Sequence, residues 1–317
     1  MPRRGKTKKK TAGNFMCTSI ALTGENFCFG RTLDLDRDFG DGVVITPRNY
    51  VLSLRCGDVI TRHHAFVGKA TVVNGFPLYA DGMNEHGVCI AALDFKGNAY
   101  YPKAPASGKR GIAPFEVIPY VLALSKSLAD ARRVLESISI VDLPFSDVIP
   151  SSALHWHIAD KSGSLVIESV ADGLKIYENE YNVLANNPPF PFHRDNCTLY
   201  LNASNKPTGD RRVFCNGVMG HGIPGDYTSP SRFVRAAWLV RYARCNEGEE
   251  TAALYSILGA VAPPRGCVIA EDGGEHFTQY TCVMCPKDLS YTYKRGNCTE
   301  ILHTYMKKES LDGETLI

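Results

Sequence analysis

The chain of 317 residues has no apolar run approaching 18 residues, so no membrane-spanning helix is expected. Its first 15 residues lack any acidic side chain and lack the apolar core of a signal peptide. They carry Arg3, Arg4, Lys6, Lys8, Lys9 and Lys10, six of the 35 basic side chains. The rest of the chain is therefore acidic in balance and shows no basic stripe, which gives no support to a nucleic-acid-binding body. Cys282-x-x-Cys285 has no second such pair and no flanking histidine. It sits in a strand-like run, Thr278–Cys285, and reads as structural rather than as a zinc or redox motif. No internal repeat and no linker divides the chain, so residues 17–317 read as a single domain behind a basic extension, residues 1–16.

Eleven cysteines are present, but they are scattered. An odd count without a signal peptide predicts free thiols in a reducing cytoplasm. The extension has three readings: a basic arm for nucleic acid, a propeptide whose removal exposes Cys17, or upstream sequence absent from the working protein. The last two agree that the functional chain begins at Cys17.

Two β-prone runs, Ser19–Leu22 and Phe27–Gly30, flank Thr23-Gly24-Glu25-Asn26, which predicts a hairpin with its turn between Gly24 and Glu25. That register places Cys17 opposite Thr32, beside Arg31 and within reach of Asp34. Cationic neighbours favour a thiolate, so this is a candidate reactive cysteine. Met16 immediately precedes it. Cleavage between the two would give Cys17 a free α-amine, a base titrating at about 7.7–8.0. One residue would then supply nucleophile and base.

Further along, Val43–Thr46 and Tyr50–Leu54 form a predicted hairpin through Pro47-Arg48-Asn49, and Ala65–Val73 and Gly87–Phe95 are predicted strands with Asp81–Gly87 as a turn between them. A loop is expected at Lys96–Gly111, then helices at Pro114–Ser125 and Ser127–Ile138. Strands are expected at Ser152–Ala159, Ser164–Val170, Leu174–Glu178 and Asn182–Ala185, helices from about Ser231 to Cys245 and at Glu249–Val261, and closing strands at Thr278–Cys285 and Leu289–Lys294. This order is not a βαβ alternation; it predicts antiparallel sheets covered by helices, an α+β class.

His155 and His157 point to one face of a strand, but no supporting ligand stands at a useful spacing, so no metal is expected there. The other histidines read as isolated. Arg232 falls in the first turn of a helix, where the dipole disfavours a cation, so it either meets an external partner, a carboxylate or a site, or snorkels to solvent, and the sequence favours neither. Asn186, before Asn187-Pro188-Pro189, is an amide at a strand end and serves equally as an oxyanion donor or a turn former.

These pieces, taken with Met16-Cys17-Thr18, Phe29-Gly30-Arg31-x-x-Asp34, Ala80–Glu85, Leu154-His155-Trp156, Val183–Pro188, Pro224–Thr228, Ser231-Arg232-Phe233 and Thr278–Thr281, resemble the choloylglycine hydrolase family of bile salt hydrolases and penicillin V acylases. The resemblance runs from Met16 to about Tyr305. It implies a four-layer αββα sandwich of the N-terminal nucleophile hydrolase class, with no metal or cofactor. By position, Cys17 matches the nucleophile, Arg31 and Asp34 its flanking pair, Asn186 the oxyanion-hole amide and Arg232 the arginine beside the thiol. Asp94 occupies the family's other oxyanion-hole position, where bile salt hydrolases typically carry Asn and penicillin V acylases Tyr. The implied substrate is a small N-acyl amide such as a glycine- or taurine-conjugated bile salt, with no nucleic acid or membrane partner, and family members are often tetrameric. Penicillin V and acyl-homoserine lactones are alternative substrates, and a nucleic-acid-associated role for the basic tail is a third class of function.

Overall fold

The computed structural model describes residues 16–23, 26–36, 40–206, 219–270, 273–296 and 298–317; the basic extension before Met16, the Gly24-Glu25 turn and Cys215 lie outside the described residues. One sheet contains β1 (Met16–Leu22), β2 (Cys28–Leu35), β15 (Val183–Leu184), β16 (Phe277–Cys285), β17 (Ser290–Arg295) and β18 (Leu302–Tyr305), in the order β15-β1-β2-β16-β17-β18. The other contains β3 (Gly42–Thr46), β6 (Phe66–Val73), β7 (Phe76–Tyr79), β8 (Asp81–Asn84), β9 (Cys89–Asp94), β12 (Leu154–Asp160), β13 (Gly163–Val170) and β14 (Gly173–Glu178). Its order is β14-β13-β12-β9-β8-β6-β3, with β7 also on β6. Two short pairs, β4 (Leu52–Ser53) with β5 (Val59–Ile60) and β10 (Arg110–Ile112) with β11 (Ile138–Ile140), stand apart.

Helices cover both outer faces. On the first sheet, α4 (Ser229–Tyr242) packs on β1 and α5 (Glu250–Gly259) on β1, β2 and β16, with α3 (Phe190–Cys197) against α4. On the second, α1 (Val117–Leu124) packs on β8 and β9, and α2 (Leu128–Glu136) on β12 and β13. The two sheets face each other, which gives the four-layer αββα sandwich. Strands buried on both faces read as nearly continuous buried runs, as β1 and β2 do. In α2 the buried residues Leu128, Ala131 and Leu135 recur at helical spacing, and the Ser127 side chain caps the start by accepting from the Asp130 N–H.

Several elements depart from the sequence expectations. The β1–β2 register sets Cys17 opposite Leu33, not Thr32. A one-residue shift exchanges the faces of a strand, so Arg31, paired with Ser19, shares the face of Cys17 while Thr32 and Asp34 lie on the other. Strand β3 pairs with β6 rather than with residues 50–54, and Leu52–Ser53 pairs instead with β5. The segment Asp81–Asn84 is a buried strand, not a turn, because its polar side chains are satisfied inside: Asp81 accepts from the Tyr280 and Tyr291 hydroxyls, and Asn84 donates to the Leu122 and Ser125 carbonyls. Ile138 leaves the predicted helix to pair in parallel with Arg110. Helix α3 and strand β18 have no counterpart in the sequence reading, although Pro188-Pro189 before α3 is a helix-start signal of the kind used at Pro114 and Pro230.

Cys28 and Cys285 form a disulfide, so not all thiols are free, and the cysteine count no longer argues for a reducing compartment. The register explains the pairing: Gly30 faces Val283 and Phe29 faces Met284, and the next pair along is Cys28 with Cys285. No helix among the described residues is long and apolar enough to cross a membrane.

Strands β6 and β8 approach so closely that a Cβ added at Gly68 would lie 2.0 Å from the Asp81 carbonyl oxygen. Gly68→Ala is expected to lower stability by about 1–3 kcal/mol. Urea unfolding monitored by fluorescence checks this, and an unchanged midpoint would contradict the close approach.

Candidate active site

Alternation along β1 and β2 divides the site into two faces. Ser19, Phe29 and Arg31 look toward the second sheet: Ser19 Oγ lies 2.9 Å from His157 Nδ1, the Phe29 ring packs on His157, and Arg31 Nη1 donates to the Ala80 carbonyl at 3.1 Å. Gly30 lies against Leu254 and Leu258 of α5, and Thr18 accepts from Arg232 of α4, so the even-numbered residues look toward the helices. Cys17 belongs to the inward set, and its side chain lines a cavity of about 320 Å³ between the sheets. Leu33, Leu35, Phe115, Ile118 and Phe145 give that cavity apolar walls, with Asp41, Lys69 and Asp94 as charged groups in its lining. A larger cavity, about 620 Å³, lies against α4 and touches none of the six candidate residues, so size alone does not locate the site.

The backbone of Cys17 is held from both sides. Its N–H donates to Asn186 Oδ1 at 2.7 Å, and its carbonyl accepts from Arg232 Nη1 at 2.5 Å. Arg232 also donates to Thr18 Oγ1 at 2.5 Å, to Asn186 Oδ1 at 2.8 Å and, through Nε, to the Tyr227 carbonyl at 3.0 Å. The guanidinium is fully buried, so of the two readings its place in the first turn of α4 left open, partnered or solvent-exposed, the partnered one holds. Upstream, Asp226 accepts from Thr228 and Ser231, and these bonds hold its carboxyl down to about 2. A carboxylate there also suits the N-terminus of α4.

Asn186 is the junction. Its Nδ2 donates to the Asp94 carbonyl at 3.0 Å while its oxygen takes the Cys17 and Arg232 donors. Asp94 ends β9; its carboxylate accepts from the Lys96 N–H at 3.4 Å. Burial pushes the Asp94 carboxyl up to about 6, against the pull of the Lys96 N–H and the Lys96 charge.

Asp34, on the helix-facing side of β2, accepts from Thr278 Oγ1 at 2.7 Å and Thr32 Oγ1 at 3.0 Å. Burial pushes its carboxyl up to about 6, although Arg232, these two hydroxyls and Arg31 all oppose the shift. Burial likewise pushes the Cys17 thiol up; Arg31, the Asp34 backbone N–H and Arg232 offset this only in part, and the Asp34 charge adds to it. The expectation that cationic neighbours make a thiolate therefore fails in the uncleaved chain, because desolvation outweighs them. The sulfur needs a base.

Arg31 keeps company the sequence did not specify. Its Nη1 lies 3.6 Å from Asp81 Oδ2 and its Nε donates to the Thr32 carbonyl, while Nη2 is buried without a hydrogen-bond partner. Asp81 joins the two sheets through the Tyr280 hydroxyl at 2.5 Å and the Tyr291 hydroxyl at 2.7 Å. Sequence reasoning missed the roles of Thr18, Asp81 and Thr278. The motifs containing all three were visible, but only pairing across strands shows what each touches.

His155 and His157 do share a face, yet they serve separate partners: His155 lies 3.3 Å from Glu168 and stacks on Phe95, and His157 bonds Ser19 and Asn179. Burial, with His155 adding to it, holds His157 down to about 3, a neutral imidazole. The other histidines are not all isolated, because His63 and His64 are neighbours in the chain and the fold brings His64 and His86 together at 3.1 Å.

The chain resembles known proteins over nearly its whole length. A bile salt hydrolase/transferase of Lactiplantibacillus plantarum is 38% identical over 95% of this chain and 96% of its own length. One from Clostridium perfringens is 33% identical over 95% of each. The crystal structure of a conjugated bile acid hydrolase from Clostridium perfringens superposes with a TM-score of 0.89 at 31% identity, covering 95% of this chain and 96% of that one. A penicillin V acylase from Agrobacterium tumefaciens, 23% identical, shares the fold with a TM-score of 0.75 over 95% of this chain and 90% of its own. Residues 17–317 match the family of linear amide C–N hydrolases, choloylglycine hydrolase family. An amide hydrolase fold with a buried cysteine gripped through its backbone and opened onto an apolar cavity is thus matched by sequence from Cys17 onward, and the chain is a C–N amide hydrolase belonging to the choloylglycine hydrolase family.

Proposed function

We propose that this chain hydrolyses the amide of N-acyl amino acids, foremost glycine- and taurine-conjugated bile salts, with Cys17 as an N-terminal nucleophile in a single domain from which residues 1–16 are absent or removed. The observation that carries this reading is the double grip on the Cys17 backbone, N–H to Asn186 and C=O to Arg232, with its side chain lining an apolar cavity. The cavity suits an apolar acyl body, and the 38% identical relative is a bile salt hydrolase/transferase.

Without Met16, the Cys17 nitrogen becomes an amine already facing Asn186 Oδ1. That amine takes the thiol proton and the sulfur attacks the substrate carbonyl. The oxyanion is met by two donors. One is the second N–H of the Asn186 amide, since Asp94 takes only one. The other is the Asp94 backbone N–H: Ala92 N–H donates to Ala80, and Asp94 presents the next N–H on that edge, past the end of β8. The amine then passes its proton to the leaving nitrogen, and water cleaves the thioester. Asp34 and Arg232 orient the amine and the strand, and the Arg31 charge beside the sulfur favours the thiolate. A homotetramer belongs to the same reading. Penicillin V hydrolysis is the alternative.

Cys17→Ser is expected to lower turnover of glycocholate at least about 1000-fold with the circular dichroism spectrum retained; undiminished turnover would remove Cys17 from the mechanism. Intact mass should show an active protein beginning at Cys17. An isolated protein that keeps residues 1–16 and still hydrolyses amides would be incompatible with an α-amine base. Rates on glycocholate, taurocholate and penicillin V separate the two substrate classes.

Asp94 adds a pH signature. Its folded-state value of about 6 lies above the ordinary carboxylate value, so the carboxylate is an unfavourable neighbour of the oxyanion above pH 6 and a neutral one below. The ratio of kcat/KM for Asp94→Asn over the unmodified enzyme should rise as pH increases through 6, the α-amine titration cancelling in the ratio. A raised acid destabilises the fold only where it is ionised, so the Asn variant should also gain relative stability between about pH 4 and pH 6, by up to about 3 kcal/mol. A flat ratio and parallel stability curves would show that Asp94 does not titrate in this range.

A further inference from the structure

A second cluster of chemistry-bearing side chains lies away from Cys17. His64 precedes β6, and Glu85 and His86 follow β8, where Phe66 pairs with Asn84. The Cys17 cavity is lined farther along β6, by Lys69, Thr71 and Val73. His64 Nδ1 and His86 Nε2 are 3.1 Å apart, and Glu85 Oε1 is 4.0 Å from His64 Nδ1. The ligand atoms of all three lie within 4.8 Å of one another. Two imidazole nitrogens bound to one tetrahedral ion at the usual zinc distance are about 3.3 Å apart, close to the separation found.

The three residues are held from behind. His64 N–H donates to the Ala123 carbonyl, and His86 N–H to Asn84 Oδ1. Asn84 is itself buried and fixed by the Leu122 and Ser125 carbonyls. The Glu85 carboxylate accepts from the Arg48 guanidinium and the Ala65 N–H, and Arg48 is fixed in turn by Asp312. Metal-ligating carboxylates are commonly oriented by such outer donors. His86 is exposed, which leaves an approach from solvent.

We propose that His64, Glu85 and His86 bind a divalent transition-metal ion of the zinc or cobalt kind, suited to imidazole and carboxylate ligands. The site ties the segment before β6 to the turn after β8 and, through Arg48 and Asp312, to the C-terminal segment. Its role is structural and separate from the amide chemistry.

The test is titration of the untagged full chain with Zn²⁺ by calorimetry and with Co²⁺ by visible absorption, for the unmodified protein, His86→Ala and His64→Ala. One equivalent should bind with a cobalt spectrum free of a thiolate charge-transfer band. Each variant should weaken binding at least about tenfold and lose the zinc-induced rise in Tm. Because His86 is exposed, His86→Ala should keep the fold, which its circular dichroism spectrum and unliganded Tm verify. No saturable binding, equal affinity in the variants, or a thiolate band marking one of the exposed cysteines would each overturn the proposal.

Discussion

A guanidinium in a dry interior is costly wherever its donors go unmatched, and the way Arg232 meets that demand orders the active site. Its acceptors come from three separate places: the strand that carries Cys17, the segment after β15 that carries Asn186, and the turn before its own helix. Removing the cation would leave the Cys17 carbonyl and the Asn186 oxygen each short of a donor, at a typical penalty of about 1–3 kcal/mol per buried group. The arginine thus acts less as a charge beside the sulfur than as a brace that fixes where the sulfur's backbone stands.

Buried carboxylates supply the balancing constraint. Asp34 lies near Arg232 yet is pushed up to about 6, so desolvation exceeds the attraction of the surrounding cations. Asp81, also buried, accepts from two tyrosine hydroxyls and lies 3.6 Å from the Arg31 guanidinium. Both sheets are therefore joined by polar contacts as well as apolar packing, and those contacts have geometry that apolar packing alone does not impose.

The sequence was most legible where one local signal sufficed. The proline-led helices and the strands near 154–178 fell close to their observed places. Arg232 was half legible for a physical reason: a cation in a first helical turn called for a partner or for solvent, and only the fold shows that it is buried. What stayed hidden were long-range pairings. The hairpin register was missed by one residue because its turn did not specify it, and β8 looked like a turn because Asp81 and Asn84 are polar. The His64–His86 approach was invisible because 22 residues separate them. Asp94 was legible only as a departure from the family pattern; its hydrogen bond to Asn186 required the fold.

The strand pair β1–β2 is a partition. On one side lie the cavity walls and the sulfur; on the other lie Thr18, Asp34 and Arg232, against the helices. A lineage can therefore alter the cavity walls and explore new amides while the helix-side contacts keep their grip on the Cys17 backbone. Asp94, sitting on the cavity side, is one position where such exploration has room to occur.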